Sequence, residues 1–223
     1  MRFGSRVSLV LLTGAFAPAA MAGVVFQSLS TNTNGSRSNA YSTGGTYFDA
    51  VSTGQEFSLE DEVTIDGITF WGSGQNFGGG QLANFTGYEI IVWNVGFGSI
   101  AAHWTLDADD ITAVATGQNN IFNGLEYALS GSITGSLAAG TYIMNIGAFQ
   151  SDPNGDSFIW STGDITGGWW YTQNPSWGTW IEAPLSLGAK PGGAFALTGE
   201  IVPAPGTLAL LGLAGLARGR RRR

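Results

Sequence analysis

Across 223 residues the chain carries 35 glycines, no cysteine, 43% hydrophobic and only 11% charged side chains, which is enough apolar material for a core and too aperiodic for collagen. The absence of cysteine removes disulfides, thiolate metal sites and cysteine nucleophiles together. The formal charge of −7 is segregated: Arg2 and Arg6 open the chain, Arg218 and Arg220 to Arg223 close it, and between them Arg37 and Lys190 stand against sixteen acidic residues, a formal −14 that argues against nucleic-acid binding.

Residues 1 to 22 read MRFGSRVSLVLLTGAFAPAAMA. Arg2 and Arg6 form a positive leader, Val7 to Ala17 is a mostly apolar stretch of eleven residues, and Ala20-Met21-Ala22 supplies small residues where signal peptidase reads. A stable span needs about 20 apolar residues, so this layout predicts a cleavable secretory signal helix. The mature chain then begins near Gly23.

Residues 23 to 201 read as many short strands. Val24 to Leu29 opens the set, and Ser30 to Thr46 (STNTNGSRSNAYSTGGT) is a polar loop with little to bury. Gln55 to Leu59 and Glu62 to Trp71 follow; in the latter Val63 and Ile65 alternate with Thr64 and Asp66, and Gly67 permits a bulge before Ile68 and Phe70 resume the pattern. Gly72 to Asn84 reads as a second loop. Gly87 to Val95 (GYEIIVWNV) has apolar residues on both faces, which predicts a strand with neighbours on each side. Shorter strands are predicted at Ile100 to Leu106, Ile111 to Thr116 and Gly124 to Leu129. After a turn at Leu137 to Gly140, further strands follow at Thr141 to Phe149, Phe158 to Ser161 and Ala194 to Ile201. This spacing predicts an all-β fold, an antiparallel two-sheet sandwich of jelly-roll-like form, rather than a parallel α/β fold.

His103 is the only histidine and G-x-S-x-G is absent, so an imidazole metal cluster is impossible and any hydrolase triad would rest on one residue. An ordinary half-buried histidine is the simpler reading. Glu56, Glu60, Glu89, Glu126 and Glu182 are the glutamates from which a glycosidase pair would be drawn; that chemistry needs carboxyls roughly 5 to 9.5 Å apart. Glu89 lies within an apolar strand, where the plain alternative is an outward residue on a solvated face. Asp152, Asn154 and Asp156 place oxygen donors at alternate positions around Pro153 and Gly155, a pattern calcium accepts, although Asp and Asn also favour turns on their own account. Asp107, Asp109 and Asp110 form a second acidic turn. No other cofactor is indicated.

Trp160, Trp169, Trp170, Trp177 and Trp180 fall within 21 residues, together with Tyr171. Indole faces stack on sugar rings, but they also fill sandwich cores. Trp169, Trp170, Trp177 and Trp180 are the candidate glycan-contacting residues. In an extended segment Trp169 and Trp170 point to opposite faces, so at most one of that pair belongs to the core.

Residues 202 to 223 form a separate unit. Val202-Pro203-Ala204-Pro205 breaks the preceding strand, Leu208 to Ala217 is ten residues of Leu, Ala and Gly, and Arg218, Arg220, Arg221 and their neighbours form a basic stop. A helix over Gly206 to Ala217 would rise about 18 Å against a hydrocarbon core of about 30 Å, short for a permanent anchor. The arginines would remain cytoplasmic and the acidic domain would face outward. Proline tripeptide, short apolar helix and terminal arginines, in that order, resemble the PEP-CTERM sorting signal of Gram-negative bacteria, with Pro-Ala-Pro in place of Pro-Glu-Pro. That resemblance implies transient insertion in the inner membrane and processing by an exosortase-like protease after signal peptidase. It also implies a destination at the cell surface or outside, among exopolysaccharide. The expectation for the whole chain is a noncatalytic envelope or extracellular-matrix protein. A polysaccharide-acting enzyme and a self-associating surface protein are the alternatives.

Overall fold

Most of the core strands form where apolar residues recur at every second position, and the pairing joins the strands into two antiparallel sheets. A computed structural model describes residues 23–37, 52–74, 82, 85–119, 124–150, 158–164, 168–172, 181–182 and 193–203. In chain order the strands are β1 (Gly23–Ser28), β2 (Ser30–Arg37), β3 (Ser52–Leu59), β4 (Val63–Gly74), β5 (Phe85–Asn94), β6 (Ile100–Asp107) and β7 (Thr112–Asn119). There follow β8 (Leu125–Leu137), β9 (Gly140–Gln150), β10 (Phe158–Gly163), β11 (Trp169–Thr172), β12 (Ile181–Glu182) and β13 (Phe195–Ile201). A 3-10 turn spans Ala108–Asp110.

One sheet has seven strands, with β1-β13-β4-β10-β2 as its path and β8 and β7 added beside β4; the other runs β12-β11-β3-β9-β5-β6. Their inner faces share one core. Ile65, Phe70, Leu129, Phe158 and Leu197 come from the first sheet, and Phe57, Ile90, Val92, Met144 and Ile146 from the second. Aromatic rings join the layers: Phe57 meets Phe195 edge-on at 5.3 Å between centroids, and Phe158 meets Tyr88 edge-on at 5.4 Å, a geometry worth about 0.5–1.5 kcal/mol per pair beyond burial. Trp160 is fully buried and donates its indole N–H to the Ala194 carbonyl at 2.9 Å.

Gly67 bulges as its position in the sequence suggested. The register between β4 and β8 shifts between Ile65 and Gly67, and a Cβ at Gly67 would lie 2.6 Å from Thr198 Oγ1. β5 sits between β9 and β6, with Tyr88, Ile90 and Val92 in the shared core and Ile91 and Trp93 in a smaller cluster with Ile143 on the other face.

Three expectations need correction. Ser30 to Arg37 is not loop but β2, paired with β10 through Ile159↔Arg37 and Trp160↔Ser36; it closes one end of the sheet path, where strand identity does not require an apolar face. Gly72 to Gly74 extend β4, because glycine there admits the Phe158 ring. β8 runs on from Leu129 to Leu137. Its core-facing positions are Leu129, Gly131, Ile133, Gly135 and Leu137, and the two glycines make room for Leu106 and Trp104 arriving from β6. Trp104 also donates its indole N–H to Thr134 O at 2.9 Å, so β6 ties the edge of one sheet to a strand of the other.

Candidate functional site

The outer face of the seven-stranded sheet carries small hydroxylated side chains in register. Thr112, Ser130 and Thr69 are direct neighbours across β7, β8 and β4, and Ser132, Gly67 and Thr198 are neighbours across β8, β4 and β13. Neighbouring strands lie about 4.8 Å apart, and successive outward residues of one strand about 7 Å apart. The result is a lattice of hydroxyls. Thr69 and Ser130 hydrogen-bond through their hydroxyls at 2.9 Å, and Thr198 Oγ1 donates to Asp66 Oδ1 at 2.7 Å.

These residues line an open groove of about 350 Å³, with Asp66 and Asp110 as its two carboxylates and no basic side chain in its wall. Gly67 keeps its floor low. Hydroxyls both donate and accept while carboxylates accept only, so the groove is equipped for a ligand rich in O–H donors. Among the described residues no group of three or more His, Asp or Glu is placed to hold a metal ion.

The sequence-predicted residues fall elsewhere. Trp169 and Trp170 form β11, at the register positions of Gln55 and Gly54 on β3, and Trp170 also pairs with Glu182 on β12. Trp177 and Trp180 lie outside the described residues, as do Asp152, Asn154 and Asp156. Of the sorting segment, Val202 and Pro203 are described, and Val202 N donates to Glu62 O at 2.8 Å, carrying the sheet register one residue past β13. Ala204, Pro205, Arg218, Arg220 and Arg221 lie outside. Among the described residues no helix is long and apolar enough to cross a membrane.

The glutamates are dispersed. Glu89 on β5 is fully buried, not on a solvated face, and its Oε1 lies 2.9 Å from Nε2 of the half-exposed His103 on β6. Glu126 on β8 is equally buried and accepts from Ser30 Oγ at 2.6 Å and Thr116 Oγ1 at 3.0 Å. Glu60 is exposed beyond β3. Glu56 and Glu89 share a sheet, but Glu56 pairs with Ile143 and Glu89 with Gly147; two strand spacings across and four residues along put them roughly 16 Å apart. That exceeds the separation a glycosidase pair uses. Of the acidic turn, Asp110 reaches the groove and Asp107 and Asp109 are exposed.

Reading along the strands, the outward rows that include groove residues are half visible: Thr64 and Asp66 alternate with buried Val63 and Ile65, and Ser130, Ser132, Thr134 and Ser136 recur at every second position. What no linear pattern shows is that β8 and β13 flank β4 and bring these rows together. The chain matches no protein-family model, and no curated protein is similar to it.

Proposed function

We propose that the chain is a noncatalytic exported protein, sorted through its C-terminal tag and held in or beside extracellular polysaccharide, with the groove on the seven-stranded sheet as its glycan contact. The observation that carries this reading is the groove itself: hydroxyls in register, two carboxylates, no cation. Neutral sugars offer the matching O–H donors, whereas phosphate or sulfate groups would meet only like charge there. The body is a jelly-roll-like sandwich in this reading, with a signal helix before it and a short apolar helix after it. Its support is the chain's repeated passage between sheets, as at β2 to β3, β3 to β4, β6 to β7 and β8 to β9.

The order of tripeptide, apolar run and arginines supports export by signal peptidase and an exosortase-like protease; the −14 body supports a soluble, outward-facing domain. The indoles of Trp169, Trp170, Trp177 and Trp180, close together in the sequence, would add stacking on sugar rings in this reading. Calcium at Asp152, Asn154 and Asp156 is compatible with the same role and is not required by it.

Co-sedimentation with exopolysaccharide from the producing cells tests the proposal. Binding is expected, with a several-fold loss in Asp66→Ala combined with Thr198→Ala, and a separate loss in Trp169→Ala or Trp177→Ala if stacking contributes. Absence of binding by the folded wild type would remove the glycan assignment.

A further inference from the structure

We propose that β7 is a self-association edge, through which two copies of the chain join their seven-stranded sheets by antiparallel pairing of Thr112–Thr116 about a twofold axis at Val114. β7 is paired with β8 along Thr112 to Ala115, all four of these residues are exposed, and Val114 is 59% exposed. Natural sheet edges are guarded by Lys, Pro, inward charges or a bulge. The sequence TAVATGQN contains no charge and no proline. A bulge is present, with Gly117 at φ +78° and the register shifting between Ala115 and Asn119, but Thr112 to Ala115 keep an unbroken register with β8.

Charge admits a second copy at this edge in one arrangement. Two bodies of −14 repel wherever their carboxylates meet, and β7 is a neutral strip bounded at one end only by Asp109 and Asp110. Antiparallel pairing about Val114 brings that acidic end of one copy to the Gln118–Asn119 end of the other. Parallel pairing would instead set the aspartates together, and a cationic partner strand would find no carboxylate within β7 to meet. Two copies of one edge make an isologous contact, which closes at a dimer. Five residues a side bury less than the 1,200–2,000 Å² of standard interfaces, so the dimer is weak and forms at high local concentration. The pairing sets two grooves on one continuous sheet, since Thr112 lines the groove, but it stands whether or not the groove takes sugar.

The absence of native cysteine makes the test direct. In the full chain carrying Val114→Cys, mild oxidation is expected to give a disulfide dimer in several-fold higher yield than Ser136→Cys, an exposed control at the far end of β8. Light scattering of the wild type should rise toward twice the monomer mass with concentration, and Val114→Glu should abolish that rise while leaving the circular dichroism unchanged. Equal cross-linking from both cysteines, or a wild type that stays monomeric at every concentration, overturns the proposal. If Val114→Glu misfolds, the cysteine comparison decides alone.

Discussion

Glu89 and His103 form a pair with unequal sides: the carboxylate is fully buried and the imidazole is 42% exposed. Removing the histidine withdraws a donor from a group that water cannot reach, whereas Glu89→Gln keeps a hydrogen-bonding side chain in place. His103→Ala is therefore expected to cost about 1–3 kcal/mol in a urea melt, and Glu89→Gln less; the reverse order would contradict this account of the pair. Tyr88 gives a second test. Burial pushes its phenol well above the ordinary 10.0, so the folded state holds the proton more tightly than the unfolded chain does. Its contribution is complete below pH 10 and declines as the pH rises toward the folded value, by up to about 1.4 kcal/mol per pH unit. Tyr88→Phe should flatten stability against pH in that alkaline range, and an unchanged slope would show that Tyr88 does not titrate with unfolding.

At the scale of elements, legibility followed how completely a strand declared its faces. β4 and β5 were readable because branched and aromatic residues mark their buried positions. β8 was readable only to Leu129, since Gly131 and Gly135 occupy core-facing positions without side chains and the alternation reads as broken. What fills those positions, Leu106 and Trp104, comes from β6 in the other sheet. β2 was missed for the opposite reason, a polar sequence at the end of a sheet path with no apolar period to detect. The groove was legible as rows and illegible as a site, because cross-strand neighbours are set by pairing order. Glu89 was misjudged because period two placed it on the outer face, and the burial of that face was invisible to period. The close approach at Gly72 is testable: an added Cβ would lie 2.4 Å from the Phe158 ring and 2.7 Å from the Ile159 carbonyl oxygen. Gly72→Ala should cost about 1–3 kcal/mol, seen as a Tm lower by several degrees. An unchanged Tm would mean that β4 and β10 are not packed as described.

For the whole molecule, charge and core divide the labour. The apolar side chains of two sheets hold the body together without disulfides, while its sixteen acidic residues give it a charge that opposes anionic surfaces. The basic residues at the ends carry the opposite sign, which in the proposed reading suits an inner-membrane encounter during export. The measurement that tests this division most directly is intact-mass and terminal-peptide mass spectrometry of the protein recovered from its native cells. A product in the extracellular fraction that starts at Gly23 and lacks the arginine cluster is the expected result. A full-length chain in the cytosol, with Met1 and Arg223 both retained, would contradict it.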